Sequence, residues 1–463
     1  MLKRFYVILL FFICFLGLSG QGWYDANVAY LIYDIDSSHT VADYRGDIKM
    51  TPASVLKLLT TASALEVVGA ENRIVTAVTT DGFVDDSGVL NGNIYIRGAF
   101  DPTVESAYLS DASFFAPLIN ALKGKGIKAV NGDVVVDASF VRRQAVNDKW
   151  VLEDIATYYG VGCFGISVCD NVRKIKVKSG KEGQKVSFSF DYPEICLPQV
   201  IDRIHVMKTK KRSEQTSNDI HFYVMPYGNE VLAEGTMAEN STYTEPLALT
   251  DPVRFFSLLL KHQLILNGIA VSGDAREGVF GGDTVLYSHN SPMLFNIVRE
   301  TNFRSNNHYA QHLFNLVTKT KGSTNSPQDT IRDLWKARNV DLSTAILYDG
   351  NGLSPMDAIS PRQVVGILNY MWHSDNGYYF FYSLPQCGRD GTVANVFNTS
   401  AMYIRAKSGS MSGVQSYAGY VVSQGRCYSF CIFVNKFSCS RQLVRSLIEQ
   451  TITNAICDYE QTL

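Results

Sequence analysis

Hydrophobic and polar positions change texture three times along the chain. Residues 27–36 and 40–44 are rich in β-branched and aromatic side chains, and the polar run Asp36-Ser37-Ser38 separates them, so a two-stranded hairpin is predicted. The next segment, 52–69, is apolar almost all round. That pattern predicts a buried helix, with Thr51 as N-cap, Pro52 as first helical residue and Gly69 as its end. From about residue 76 short runs bounded by Gly and Asp predict strands at 92–97, 132–137, 174–178, 186–190 and 221–224, followed by a helix over 248–266. Helical spacing returns at 291, where Ser291-Pro292 reads as a cap, and continues over 307–317, 327–338 (with Ser326 as N-cap) and 361–371. Strands are predicted again at 401–407, 415–422 and 426–435, and an amphipathic helix closes the chain over 440–456.

The strand-rich block from about 78 to 285 differs in class from what flanks it, so it reads as an insertion. The two N-terminal strands and the three C-terminal strands then share one antiparallel sheet, with the first and last helices packed on it. This is a mixed α/β (α+β) architecture. No internal repeat or low-complexity run interrupts it.

Composition narrows the picture. A chain of 463 residues exceeds one ordinary core, so about two or three domains are expected. A hydrophobic fraction of 46% suits a folded protein, and a net charge of −2 argues against nucleic acid as a partner. Lys3 and Arg4 precede an apolar run over 5–18 and the small residues Gly17, Ser19 and Gly20. Residues 1–20 therefore read as a cleaved signal peptide, too short to span a bilayer, and predict export to the periplasm. Cys14 falls in that run. The other cysteines are too sparse for a disulfide scaffold and read mostly as buried thiols, with Cys163 and Cys169 near enough in sequence for one loop disulfide. Cys427 and Cys431 share a strand face and do not bridge each other. Lys208, Lys210, Lys211 and Arg212 read as a solvated hairpin tip.

Three short strings carry candidate chemistry. In Ser54-Val55-Leu56-Lys57 the hydroxyl and amine fall one helical turn apart, so Lys57 can activate Ser54 if burial and a second cation keep it neutral. The string is short and occurs by chance in long proteins. Ser305-Asn306-Asn307 opens a helix, and Ser305 reads equally as an N-cap or as a proton relay, with Asn307 offering an amide to a substrate backbone. Lys407-Ser408-Gly409-Ser410 ends a strand. It reads as an ordinary hairpin, or as a cation (Lys407), two hydroxyls for a carboxylate (Ser408, Ser410), a close-approach glycine (Gly409) and an oxyanion donor (Ser410 N–H, beside that of Ser54). Together they form the S-x-x-K, S-x-N, K-[ST]-G set of serine β-lactamases and penicillin-binding proteins. His308 and His312 share a helix face, but no Glu between them makes an H-E-x-x-H site, so surface or packing roles are expected.

With these strings, and with Arg97 to Thr103, Gly132 to Asp137, Asp349 to Ser354, Gly388 to Thr392 and Ser416 to Tyr420, the mature chain resembles the class C low-molecular-mass penicillin-binding proteins, a D-alanyl-D-alanine carboxypeptidase/endopeptidase family. The resemblance implies a β-lactamase/transpeptidase-like domain over 21–77 and 286–463. It also implies an inserted β-rich domain over 78–103 and 165–285, and a second domain nested at 104–164. It implies a serine carboxypeptidase, with endopeptidase activity as an extension, acting on peptidoglycan stem peptides through an acyl-enzyme on Ser54. β-Lactams are implied as covalent inhibitors, and neither metal nor organic cofactor is implied. Asn306 and Ser408 stand where the family more often has Asp and Thr. The large separation of Ser54 from Ser305, and the lack of a candidate deacylating Glu, disfavour the alternative of a β-lactamase or serine esterase. An intact motif set disfavours a catalytically idle peptidoglycan-binding or penicillin-sensing protein.

Overall fold

The computed structural model describes residues 26–140, 145–208, 218–398 and 401–463. The signal segment, Cys14, Lys210, Lys211 and Arg212 lie outside the described residues; Lys208 pairs with Glu182 at 3.4 Å. Two compact units emerge. Among the described residues, one holds Ala26–Glu66, Asn302–Ser305 and Asn325–Leu463; the other holds Val67–Thr301 and Asn306–Thr324.

The first unit is built on the five-stranded sheet expected from the two ends of the chain. Its strands are β1 (Asn27–Asp34), β2 (His39–Tyr44), β3 (Tyr403–Met411), β4 (Val414–Ser423) and β5 (Arg426–Asn435). They run in the order β3-β4-β5-β1-β2, and every pair is antiparallel. β4 and β5 are buried along nearly their whole length, including polar residues such as Gln415, Ser416 and Ser429.

Three helices of this unit bear on the sheet or the site. Helix α1 (Lys57–Val68) follows a 3-10 turn at Ala53–Leu56, α2 (Pro361–His373) has a capping box between Ser360 and Gln363, and α3 (Arg441–Glu460) is capped by Ser440. The inward stripe of α3 is Val444, Ile448, Ile452 and Ile456, spaced one turn apart and packed on Tyr428, Phe430 and Ile432. Burying each such side chain is worth about 1.5–3 kcal/mol. The N-cap expected at Thr51 does not form. Ala53 is held at φ 47°, in the left-handed region, so the chain enters the first turn out of register for a Thr51 cap, and the Thr51 hydroxyl donates to the Pro355 carbonyl at 3.3 Å.

The second unit is strand-rich. It contains a five-stranded mixed sheet ordered Ala275–Glu277, Val134–Asp137, Ile94–Arg97, Arg73–Thr80 and Thr284–Met293, together with one four-stranded and two three-stranded sheets. Its larger core joins these strands to the helices Phe115–Gly124 and Pro252–Leu266. Two expectations fail here. Ser291 caps no helix, because it lies inside the strand Thr284–Met293, where its hydroxyl donates to the Pro292 carbonyl (2.7 Å) and accepts from the Ile74 N–H (2.9 Å). Cys163 and Cys169 form no disulfide: all eight described cysteines are free. Cys163 is buried beside the Asn315 amide (3.6 Å), whereas Cys169 Sγ accepts from Arg173 (2.9 Å).

Candidate active site

Ser54 sits in the 3-10 turn that leads into α1, and Lys57 is the first residue of α1. That junction places Lys57 Nζ 2.8 Å from Ser54 Oγ. Lys57 is fully buried, and its amine also donates to the Asn351 carbonyl at 2.7 Å. Burial first, and then the charge of Lys407, pull its pKa well below the ordinary lysine value, against an upward pull from Asp349. A lysine so placed can be neutral and hold a lone pair toward the serine hydroxyl.

The loop that presents the Asn351 carbonyl is organised by Asp349. One of its carboxylate oxygens accepts from the N–H groups of Asn351 (3.0 Å) and Gly352 (2.6 Å), and the other from Ser354 N–H (2.8 Å). Gly352 is at φ 75°, and a Cβ there would lie 1.9 Å from the Ala53 carbonyl oxygen. The loop therefore packs backbone to backbone against the turn that carries Ser54. Burial, then the nearby Asp349 charge, hold the Asp357 carboxyl well above the usual range.

Lys407 comes from β3 and is also fully buried. Its Nζ donates to Ser305 Oγ at 2.9 Å and to the Ser408 carbonyl at 2.7 Å. Burial brings its pKa down to about 7. Gly409 lies against the serine turn: a Cβ there would come within 2.6 Å of the Pro52 carbonyl and 3.0 Å of Ser54 N. Ser416 on β4 closes the same contact by donating to the Pro52 carbonyl (2.7 Å). Lys57, Ser54, Ser305, Lys407 and Gly409 thus belong to one connected arrangement within a single unit.

Ser305 is not the N-cap of its helix. Asn306 caps the helix Asn307–Thr320, its side chain accepting from Tyr309 N–H at 3.0 Å. Ser305 stands one residue earlier at φ 57°, with its hydroxyl on Lys407. This accounts for Asn where the family more often has Asp, since both are strong caps. Asn307 is the first helical residue, and its amide donates to the Tyr159 carbonyl (2.9 Å) within the second unit.

Ser408 and Ser410 alternate with Lys407 and Gly409 along β3. The Ser408 hydroxyl donates to Thr392 Oγ1 at 2.7 Å, and the Ser410 hydroxyl accepts from the Arg441 guanidinium. Arg441 also grips the Met411 and Val414 carbonyls and Gln415 Oε1. Asn351, Asp349, Thr392 and Arg441 were not picked out as site residues from the sequence. The runs Asp349–Ser354 and Gly388–Thr392 were the available signal, although a carbonyl contribution leaves no mark on residue type.

β3 is an edge strand. The stretch 385–387 pairs with its outer side at 404–406, through Cys387 N–H to the Ile404 carbonyl (2.9 Å) and Ala406 N–H to the Pro385 carbonyl (3.1 Å). Among the described residues that pairing ends before Lys407, so the edge is open along the motif itself.

His308 and His312 are buried packing residues rather than surface ones. His308 Nε2 meets Ser167 Oγ at 2.7 Å, and His312 Nδ1 meets the His308 carbonyl at 2.9 Å. Burial lowers both, His312 to about 4, so both are neutral at pH 7.

A half-buried serine on a buried lysine, beside a second Ser–Lys pair and on a turn packed against an edge strand, defines a serine acyl-transfer enzyme. The model of the D-Ala-D-Ala carboxypeptidase 3 (S13) family matches residues 22–454, and the chain belongs to that family of serine-type hydrolases. The D-alanyl-D-alanine carboxypeptidase DacB of Haemophilus influenzae is 23% identical over 429 residues, covering 89% of this chain and 86% of that protein. The D-alanyl-D-alanine carboxypeptidase of Actinomadura sp. (strain R39) is 25% identical over 430 residues, covering 88% and 77%. The fold matches the crystal structure of penicillin-binding protein 4 (dacB) from Haemophilus influenzae with a TM-score of 0.83 at 22% identity, over 94% of this chain and 98% of that one. That protein has also been solved with a β-lactam. Among the described residues no helix is long and apolar enough to cross a membrane.

Proposed function

We propose that Ser54 is the nucleophile of a D-Ala-D-Ala carboxypeptidase acting on peptidoglycan stem peptides in the periplasm. The observation that carries this reading is the 2.8 Å approach of a fully buried Lys57 amine to Ser54 Oγ. Neutral Lys57 takes the Ser54 proton as the oxygen adds to the carbonyl of the penultimate D-Ala. Backbone N–H groups of Ser54 and Ser410 receive the developing oxyanion. The proton reaches the departing amine through Ser305, whose hydroxyl is held by Lys407, and free D-Ala leaves. Water then attacks the Ser54 ester, and its proton passes through Lys57 to the departing Ser54 oxygen, regenerating the hydroxyl and the neutral amine as the shortened stem leaves as a carboxylate.

The open edge at 407–411 lets an extended peptide add alongside β3, with the terminal carboxylate at the hydroxyls of Ser408, Ser410 and Thr392. Gly409 lets the serine turn lie close against the same strand. Asn307 is assigned to the substrate backbone from its place in the second motif. A β-lactam, whose strained amide presents the same carbonyl and carboxylate, acylates Ser54 in this reading. Endopeptidase cleavage of cross-linked stems is the extension that the family resemblance suggests. The inserted β-rich domain at 78–103 and 165–285, with a second domain nested at 104–164, is part of the same reading.

The test is the base. Folded Lys57→Ala protein should neither take up a fluorescent penicillin nor release D-Ala from a stem pentapeptide. Unchanged acylation in that variant removes Lys57 from the role.

A further inference from the structure

Gln415 is a primary amide at a position where the core of a sheet usually holds an apolar side chain. It lies on β4, opposite Ser410 of β3 and Val434 of β5, and only 1% of it is exposed. A buried amide is tolerated when both of its ends are hydrogen-bonded. Gln415 Nε2 donates to the Gly409 carbonyl at 3.1 Å, and Oε1 accepts from the Arg441 guanidinium at 3.0 Å. These partners fix which way the amide points, because a guanidinium only donates and a carbonyl only accepts.

The same arginine holds the next two residues of β3. Its Nη1 also donates to the Ser410 hydroxyl, and its Nη2 donates to the Met411 carbonyl at 2.9 Å. Gln415 and Arg441 together therefore grip Gly409, Ser410 and Met411, the stretch that follows Lys407 and Ser408. Gly409 also faces the serine turn, since a Cβ on it would lie 3.0 Å from Ser54 N. The peptide that joins Gly409 to Ser410 is thus held through its carbonyl by Gln415 and neighbours the Ser54 N–H.

Peptide planarity links the two ends of that unit. The Gly409 carbonyl and the Ser410 N–H belong to one trans peptide, so they point in opposite directions and rotate together. Whatever fixes the carbonyl also aims the N–H. A hydrogen bond accepted by a peptide carbonyl polarises the amide as well, and this strengthens the bond its N–H can donate. We propose that Gln415 is a positioning residue for acyl transfer: anchored by Arg441, its amide aims and polarises the Gly409–Ser410 peptide, so that the Ser410 N–H meets the developing oxyanion. Gln415 has this role only if the Ser410 N–H receives the oxyanion of Ser54 acylation, as proposed above. A Gln415 that merely filled the sheet would add stability and leave the carbonyl of the acyl group untouched.

Infrared spectroscopy of the penicilloyl-enzyme, formed from penicillin isotopically labelled at the β-lactam carbonyl, tests the proposal. The ester C=O stretch falls in frequency as hydrogen bonding to its oxygen strengthens. Gln415→Met removes the donor and keeps the length of the side chain. Gln415→Glu keeps an acceptor for Arg441, and its carboxylate cannot donate to the Gly409 carbonyl. In both variants the ester stretch should lie at higher frequency than in the wild type. The acylation rate at saturating penicillin should fall by about tenfold, less than the loss of a whole oxyanion donor, with the half-saturating concentration changed by no more than about twofold. Arg441→Met leaves the Gln415 amide unanchored and should move the stretch the same way by less. If Gln415→Met does not fold, Gln415→Glu decides, because its pair with Arg441 remains. A stretch at the wild-type frequency in a folded Gln415 variant overturns the proposal, whatever the rates do, and a wild-type stretch in Arg441→Met overturns the anchoring by Arg441. Wild-type protein that forms no ester on Ser54 instead fails the reading of Ser54 itself.

Discussion

Lys407 Nζ lies 2.9 Å from Ser305 Oγ, tying the sheet edge to the residue that stands just outside the helix Asn307–Thr320. Because Asn306 takes the cap, the two neighbours have separable jobs. Ser305→Ala should slow acylation by roughly 10²-fold and leave stability unchanged, since the hydroxyl's partner is catalytic in this account. Asn306→Ala should cost about 1 kcal/mol of stability. Acylation kinetics with a fluorescent penicillin and urea unfolding of both variants check this. The reverse pattern would return Ser305 to a capping role.

The two buried lysines set a pH dependence with a definite sign. Lys57 is active when neutral, so acylation should rise as pH climbs through its lowered pKa. Lys407 loses its charge above about 7, so the rate should fall on the alkaline side. The Lys407 charge is one of the forces holding Lys57 down. In Lys407→Met the rising limb should therefore move to higher pH, besides the loss of overall rate. Acylation rates between about pH 5 and 9 decide it, and a rising limb unmoved by the substitution would break the link between the lysines.

The same shift predicts a stability trend. Lys407 titrates near 7 when folded, against about 10.4 in the unfolded chain, so across that window the unfolded state binds more protons. Stability should therefore increase as pH rises from about 7 toward 10. Lys407→Met should show a shallower increase. Urea midpoints of both proteins at the two ends of the window test this, and identical slopes would contradict it.

Gly352 faces the serine turn with no room for a side chain, and it is at φ 75°. Gly352→Ala should destabilise the protein by more than about 1 kcal/mol and weaken penicillin uptake, because the Ala53 carbonyl it strikes directly precedes Ser54. Wild-type Tm and labelling in this variant would show that the loop does not position the turn.

Much of this arrangement was legible in the sequence, for physical reasons. The five-stranded sheet announced itself because β4 and β5, covered on both faces, are rich in aromatic and β-branched residues. The S-x-x-K spacing was legible because one helical turn dictates it. The cap at Ser305 was misread because Ser and Asn are equally good caps and adjacent here, so only the left-handed Ser305 backbone separates them. The strand Gln199–Met207 is hard to read because Asp202 falls on the inward register and Ile201 on the outward one, leaving only Ile204-His205-Val206 in clean alternation. The Asn351 carbonyl and the Arg441 clamp depend on tertiary packing that no local pattern encodes.

The account stands on Ser54 as the acylated residue. The most direct measurement is mass spectrometry of proteolytic peptides after brief incubation with penicillin, alongside D-Ala release from a stem pentapeptide. The predicted result is one penicilloyl adduct located on Ser54, with both the adduct and the D-Ala release abolished in folded Ser54→Ala protein. An adduct on another residue, or D-Ala release by Ser54→Ala, would contradict it.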